Sequence, residues 1–322
     1  MVKAVTIFLC LFCSNILANQ TINHSKEIDR IIANDLTNKR IELPVVVNPY
    51  IFVRRAYIDI AGRVPTYQEW KTFIRRPDRK KLIEDLQNSK GYTESMFNFY
   101  ADLLRIKRRL SNNIDGDTYI SWVKQEIEKN TPYDEFIKKI LTAEGNIWEN
   151  PEVGYFLRDE GMLLDNVSNT FQAFAGMNIS CAQCHDHPFD DWTQMDYYNM
   201  SAFFTQLNTR GKKEDRKEFQ RLRKEAEELD KSGKQKGSTN RIGQFYRHGY
   251  QHTIVQDQDK KLKLPDDYKY RDAEPGEVVK AETAVGDRVK EKRKREGLRE
   301  NFANWLANDT HPTFAANIVN RL

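Results

Sequence analysis

The feature that most constrains the fold of this chain is a succession of amphipathic helical segments between about Asn48 and Leu207, separated by short breakers. Apolar residues recur there three or four positions apart, and the strict alternation typical of strands is rare. Each apolar stripe must be buried against another element to be stable in water. The pattern therefore predicts a mainly α fold, a multi-helix orthogonal bundle.

Start and stop signals place several of these helices. The first is expected over Tyr50 to Ile60 and ends at Gly62, and Thr66 with Glu69 forms a capping box for the next. At Thr131-Pro132, a hydroxyl that can cap a helix precedes a proline, which is tolerated in the first turn. The sequence therefore predicts that Thr131 caps the helix that follows.

The composition changes abruptly after Gly211. Residues 212–230 are nearly all charged, which predicts a solvated helix, and residues 231–240 are rich in Lys, Gly, Ser and Gln, which predicts a flexible linker. Thr253 to Val255 and the arm over residues 264–287 are less regular, with short strands expected. Helical patterning returns at Leu298, in what we interpret as the start of a truncated C-terminal domain.

The N-terminus has the layout of a secretory signal peptide. Lys3 precedes an apolar run of about ten residues, and small and polar residues follow up to Ala18. The run is shorter than the roughly 20 apolar residues that span a bilayer, so cleavage after Ala18 would leave a chain that is not an integral membrane protein. An uncleaved N-terminal anchor is the alternative. Export to the periplasm or the cell surface is the expected location.

Charge gives no reason to expect a nucleic-acid partner. The formal net charge is +4, with 51 basic residues against 47 acidic ones. A basic face of the kind that binds phosphate backbones needs a larger and more concentrated excess.

Reactive residue types concentrate in one segment, Cys181-Ala-Gln-Cys184-His185. Signal cleavage would also remove Cys10 and Cys13, leaving Cys181 and Cys184 as the cysteines of the mature chain. Two thiols about one helical turn apart can form thioether bonds to the vinyl groups of haem, and an adjacent histidine can supply the proximal iron ligand. The segment therefore predicts covalent haem c, attached through Cys181 and Cys184 and ligated by His185.

Other chemistries remain open for this segment. Zinc is the alternative cofactor, held by both cysteines with His185 and His187, although structural zinc usually takes two ligand pairs separated by a longer loop. A thioredoxin-like redox pair would need an alternating βα context. A local disulfide would close too small a ring to stabilise distant parts of the chain.

The sixth iron ligand would decide the reduction potential and whether the iron could bind a substrate. The candidates are Met195, Met200, His248 and His252, and the last two could also act as the distal base of a peroxidase. Further residues are expected to support the site through hydrogen bonds or packing. These are Asp186, His187, Asp190, Asp191 and Trp192, with Phe189, Tyr197 and Tyr198 as aromatic walls for the ring.

Together these residues resemble a known family. The run from Cys181 to Gln194, the segment from Arg54 to Gly62 and the segment from Thr131 to Phe136 are similar to the motifs of the second planctomycete cytochrome-like domain family, whose function is unknown. The resemblance covers residues 48–207. Residues 298–322 look like the start of the planctomycete surface domain that usually follows. The resemblance implies a periplasmic or surface protein of cytochrome-like character, often encoded near polysaccharide-degrading functions.

The sequence thus predicts five regions. They are a signal peptide (1–18), an N-terminal extension (19–47), a helical cytochrome-like domain (48–207), a charged insertion with an irregular arm (208–295) and the start of a further helical domain (296–322). The expected function is electron transfer with an unidentified periplasmic or surface redox partner, as a component of an oxidoreductase system. The alternative is a non-haem cell-surface module linked to polysaccharide binding or degradation.

Overall fold

The computed structural model describes residues 24–43, 45–110, 114–159, 162–209, 213–246, 253–284, 297–308 and 311–322. The predicted signal peptide, with Cys10 and Cys13, lies outside the described residues, so its cleavage stays a prediction. In the described ranges, no helix combines the length and the apolar character needed to cross a membrane.

The chain divides into two compact units, one formed by residues up to 57 with residues 64–79, and one formed by residues 58–63 with residues 80–322. The first unit contains α1 (residues 24–38), most of α2 (Pro49–Ala61) and α3 (Tyr67–Arg75). The predicted capping box at the start of α3 is confirmed: Thr66 accepts from the backbone N–H of Glu69, and the Glu69 carboxylate accepts from that of Thr66. Phe52 of α2 stacks on Phe73 of α3 at 5.8 Å between ring centres.

The second unit is mainly helical, as predicted. Its helices from α4 to α9 are Arg79–Gln87, Lys90–Leu103, Asp117–Glu128, Tyr133–Thr142, Gly154–Leu157 and Leu163–Thr170. Those from α10 to α14 are Gln194–Ser201, Lys213–Lys231, Ser238–Tyr246, Leu298–Leu306 and Phe314–Arg321. One turn of π-helix, Phe171–Ala175, and three 3-10 turns, Pro151–Val153, Ser180–Gln183 and Ala202–Phe204, connect some of them.

The core of the second unit joins residues that lie far apart in sequence. Phe171, Phe203, Phe204 and Phe302 are all nearly or completely buried. The ring of Phe302, on α13, lies 4.8 Å from Phe204 and 5.7 Å from Phe171. Since buried aromatic side chains contribute much of the apolar area of a core, α13 packs into the core of the second unit.

The expected cap of α7 is corrected by the structure. The helix begins at Tyr133 with Pro132 as its N-terminal cap residue, and the Thr131 hydroxyl instead lies 2.9 Å from the carboxylate of Glu126. Glu126 is only 3% exposed and also accepts from Lys129 and Lys139. Burial raises the pKa of Glu126, but these hydrogen bonds outweigh burial and hold the pKa below its usual range. The Thr131 hydroxyl therefore donates to a buried carboxylate, and α7 has no side-chain cap.

A small antiparallel sheet lies beside the helices. Its strands are β1 (Gly145–Asn146), β2 (Leu207–Asn208) and β3 (Ile254–Asp257), in the order β1-β3-β2. Gly145 pairs with Val255, and Leu207 pairs with Asp257. The short strand expected at residues 253–255 is confirmed, and it brings the segment after the charged insertion back to the helical domain.

The charged segment differs from its predicted form. Residues 213–231 do form the expected helix, α11, but a second helix, α12, begins at Ser238 inside the predicted linker. Phe219 and Tyr246 stack with their ring centres 4.0 Å apart, and the Asp230 carboxylate accepts from the backbone N–H groups of Ser238 and Thr239. These contacts join α11 and α12 into a helical hairpin, which the composition of residues 231–240 did not indicate.

Gly154 permits a close approach between α8 and α6. A Cβ added at Gly154 would lie 2.5 Å from Cγ and 2.7 Å from Cβ of Tyr119, which is itself 1% exposed. We expect Gly154→Ala to lower the free energy of unfolding by about 1–3 kcal/mol, because neither atom can move without displacing the helix. Urea unfolding followed by circular dichroism measures this change.

The matched control is Gly243→Ala on α12, where an added Cβ would meet nothing within 4 Å. This variant is expected to be slightly more stable than the parent, since alanine favours helix over glycine by about 0.5–1 kcal/mol. Equal effects of the two substitutions would contradict the close packing at Gly154.

Candidate functional site

The cysteine-histidine segment folds as a single tight turn at the surface of the second unit. It follows the π-helical turn and Gly176, whose φ of 71° lies in the left-handed region that glycine adopts freely. Cys181 lies in the 3-10 turn Ser180–Gln183, and its carbonyl accepts from the backbone N–H of Cys184 at 3.2 Å and of His185 at 3.3 Å. These hydrogen bonds hold both thiols and the imidazole on one turn of chain.

The reactive groups of this turn face solvent, while its backbone is anchored in the core. Cys181 and Cys184 are both free thiols and both exposed, and His185 is exposed as well. Ala182, between the cysteines, is completely buried. The turn therefore presents two thiols and an imidazole to a group arriving from outside, on a fixed support.

The tautomer of His185 follows from its hydrogen bond. Nδ1 lies 2.7 Å from the carbonyl oxygen of Asp186. A carbonyl can only accept, so Nδ1 must carry the proton and, in the neutral ring, Nε2 keeps its lone pair. A histidine that ligates a metal commonly has this arrangement, with one nitrogen donating to a carbonyl and the other available to the metal.

Asp186 fastens the turn to two other elements. Its backbone N–H donates to the hydroxyl of Tyr270 at 2.7 Å, and its carboxylate accepts from the backbone N–H of Gln194 at 2.8 Å. The side chain of Gln194 in turn donates to the carbonyl of Gln183 at 3.0 Å. Gln194 begins α10, which Thr193 and Asp196 cap reciprocally. Asp186 thus supports His185 through its carbonyl, and its carboxylate holds the start of α10.

The other residues expected to support the site form the loop after the turn. The backbone N–H of His187 donates to the carbonyl of Trp192 at 2.7 Å, and Nδ1 of His187 accepts from the N–H of Phe189. Asp190 accepts from the N–H of Asp191. The described contacts of His187 and Asp190 therefore stabilise the loop itself.

The predicted aromatic wall takes a different form in the structure. Phe189 is 93% exposed, whereas Trp192, Tyr197 and Tyr198 are buried within the protein core. Trp192 packs edge-on against Phe171, and the hydroxyl of Tyr197 donates to the carbonyl of Leu164 at 2.7 Å. These three side chains pack the turn against the helices. Phe189 is the aromatic residue of the set that remains at the surface.

The candidate sixth ligands fall into three groups. Met195 is partly buried and packs against the core, and Met200 is completely buried in it. His248 and His252 lie outside the described residues. All four stay predictions, and Met200 would have to leave the core to reach a group bound at the exposed turn.

An unexpected feature beside the turn is the tyrosine pair of the arm over residues 264–284. Tyr270 contacts Asp186, as described above, and the buried Tyr268 donates to Asp272 at 2.7 Å. Burial raises the pKa of Tyr268, and the bond to Asp272 raises it further. Tyr198 also has a raised pKa, through burial first and then through the neighbouring Cys184. No local signal in the sequence links this arm to the site, because Tyr270 and Asp186 lie 84 positions apart.

The donor set of the turn fits the attachment of haem. Two accessible thiols and an imidazole with a free Nε2 lie on one turn, which is the set that thioether attachment and proximal ligation require. The described residues also include the four candidate zinc ligands, Cys181, Cys184, His185 and His187. Among the described residues, no group of three or more His, Cys, Asp or Glu side chains is arranged to hold a metal ion.

Comparison with protein families gave one match. A family model described as PSCyt2, protein of unknown function (DUF1549), matches residues 27–209. The match includes the turn and begins earlier than residues 48–207, so it takes in much of the predicted N-terminal extension. The planctomycete surface domain expected from residue 298 onward stays a prediction. Comparison with curated proteins and comparison with solved structures both gave no match.

Proposed function

Because this chain belongs to the PSCyt2 family of proteins of unknown function, a planctomycete cytochrome-like family, and carries its reactive groups on one exposed turn, we propose that it is an exported c-type haem protein. Cys181 and Cys184 are the thioether anchors in this proposal, and His185 is the proximal ligand. Its role is electron transfer with a periplasmic or cell-surface redox partner.

The observation that carries the proposal is that the turn presents free thiols and an available imidazole nitrogen to solvent. The two thiols are free and exposed, and the hydrogen bond from Nδ1 of His185 to Asp186 leaves Nε2 available for iron. Thioether formation consumes free thiols, so a disulfide between them would have opposed the reaction. The buried Ala182 and the Tyr270–Asp186–Gln194 contacts keep the turn in place. A ligand held on a fixed support needs little rearrangement when the iron changes charge.

Haem held in this way would supply one-electron exchange between ferric and ferrous iron. The chain's own contribution is to hold the group at the surface, where a partner can approach it. Exposure of Cys181, Cys184 and His185 supports electron transfer over catalysis in a closed pocket, because electron exchange between proteins requires only close approach of the redox groups.

The test is an alkaline pyridine haemochrome spectrum together with an intact mass, on protein exported from a host that matures c-type cytochromes. We expect a c-type band and the added mass of one haem. The double variant Cys181→Ala/Cys184→Ala should lose both signals. Each single variant should show the shifted band of a haem with one thioether bond.

Ser180→Ala is the matched control, since it alters the same turn without removing a thiol and should keep both signals. A colourless wild-type protein with the mass of the bare polypeptide would contradict the proposal. Metal analysis of that sample would then address the alternative, a non-haem cell-surface module in which Cys181, Cys184, His185 and His187 hold zinc.

A further inference from the structure

The same unit also contains a cleft of about 280 Å³. None of the residues that line it belongs to the cysteine turn. Its walls come from the end of α5, from α9 with the π-helical turn, and from α14. The polar lining residues are Asp102, Arg105, Asn169, Gln172 and Arg321, and the apolar ones are Phe99, Leu103 and Ala173. A volume of this size suits a small molecule, near the lower end of ligand sites.

Arg105 occupies a position where arginine is disfavoured. It follows the C-terminal end of α5 with a φ of 52°, and the N–H of Ile106 donates to the carbonyl of Ala101 at 2.8 Å. This is the left-handed helix end at which glycine is the usual residue, because a Cβ there strains the backbone. Arg105 adopts this strained conformation, and its side chain lines the cleft.

That guanidinium makes no direct side-chain contact in the described part of the chain, although its charge contributes to the lowered pKa of Asp159. Arg105 makes no side-chain hydrogen bond or ion pair with any described residue, and it is exposed. A neighbouring cation at a helix C-terminus gains only a modest dipole interaction. The donors of Arg105 are therefore available to a ligand.

Arg321 supplies the second guanidinium, and its position is fixed. Its Nε donates to the side-chain oxygen of Asn317 at 3.0 Å, and one terminal nitrogen donates to the carbonyl of Gln172 at 2.8 Å. Two of its five N–H donors are thus used, and the remainder are free to bind. The amide side chains of Asn169 and Gln172 add neutral donors to the same cleft.

We infer that this cleft binds a small oxyanion, a carboxylate or a phosphate, through Arg105 and Arg321. Guanidinium groups bind both kinds of oxyanion in bidentate fashion. Asp102 offsets one of the two positive charges and can accept a hydrogen from a hydroxyl of the ligand. The cleft is independent of the haem proposal, since none of its lining residues lies on the cysteine turn.

The experiment uses isothermal titration calorimetry of the full chain with two probes, sodium phosphate and sodium lactate, at ionic strength held constant with sodium chloride. We expect at least one probe to bind to the wild-type protein. Arg105→Gly and Arg321→Gln should each raise the dissociation constant by about tenfold or more, as loss of a charged hydrogen bond does. The probe that binds distinguishes a carboxylate ligand from a phosphate ligand.

Arg40→Gly is the matched control, because Arg40 also has a left-handed φ, 56°, and does not line the cleft. Arg40→Gly and Arg105→Gly should both raise the thermal midpoint by about 2–4 °C through relief of strain. Only Arg105→Gly should lose the probe. Absence of binding by both probes, or equal binding by the wild-type protein and Arg105→Gly, would overturn the inference.

Discussion

Replacement of Arg299 with methionine is expected to lower the free energy of unfolding by about 3–5 kcal/mol, because it removes several hydrogen bonds to a charged group, each worth about 1.5–3 kcal/mol. The side chain of Arg299, on α13, is only 2% exposed. Its guanidinium donates to Asp257 at 2.9 Å, to Glu144 at 3.0 Å and to the carbonyls of Leu141 and Ala143. Methionine fills much of the volume but leaves all of these acceptors without their donor.

The loss should depend on pH in a defined direction. Burial raises the pKa of Glu144 above its ordinary 4.5, the neighbouring Asp257 raises it further, and Arg299 opposes both. Without Arg299 the Glu144 pKa rises more, so the folded variant binds a proton at a higher pH than the unfolded chain does. A raised carboxyl pKa makes the folded state relatively more stable as pH falls through it. The deficit of Arg299→Met should therefore be largest at neutral pH and shrink on acidification.

Urea unfolding at neutral pH and at about pH 5 measures both effects. Arg223→Met is the matched control, because Arg223 pairs with Glu227 on the solvent-exposed side of α11, where such pairs contribute about 0–1 kcal/mol. A similar small loss for both variants would show that the Arg299 cluster adds nothing to stability.

Phe302→Ala is the second substitution with a large expected effect, also about 3–5 kcal/mol. Phe302 is completely buried, with Phe171, Phe203, Phe204 and Trp305 around its ring at 4.8–5.8 Å. Truncation to alanine leaves a cavity among aromatic side chains that are held by their own helices. The residue lies outside the segment 27–209 that the family model matches, so the prediction tests whether α13 is part of that fold.

Phe189→Ala makes the same chemical change at a side chain that is 93% exposed. Its effect on the free energy of unfolding, measured with urea, is expected to lie within about 0.5 kcal/mol of zero. If Phe302→Ala cost no more than Phe189→Ala, α13 would be an appendage to the helical domain.

Sequence reasoning located most helices correctly because the signals for helix formation, apolar spacing and end caps, lie within a few residues of one another. The apolar stripes between Asn48 and Leu207 and the Thr66–Glu69 capping box predicted elements that the structure confirms. The same local reasoning missed the assignment of Thr131, whose hydroxyl serves Glu126. Whether this hydroxyl donates to Glu126 or accepts from a backbone N–H of the helix depends on tertiary contacts and burial, which the local sequence does not state.

In the candidate site too, local spacing predicted some features and tertiary contacts decided others. The spacing of Cys181, Cys184 and His185 was sufficient to predict one turn, because Cys184 and His185 both donate to the carbonyl of Cys181 and need no distant partner. The roles of the aromatic residues could not be read in this way. Trp192, Tyr197 and Tyr198 are aromatic like Phe189, yet they are buried and Phe189 is exposed. The difference arises because helices from elsewhere in the chain cover the three buried side chains.

By itself, then, the sequence determined the family, the mainly α class and the reactive turn, all of which depend on residue type and short spacing. Only the tertiary structure decided that α13 completes the core through Phe302 and that Arg299 is buried among Asp257, Glu144 and two carbonyls. It also decided that Tyr270 contacts Asp186 across 84 positions of sequence. Contacts of this range form when burial of apolar surface brings distant segments together, and no local pattern records which segments will meet.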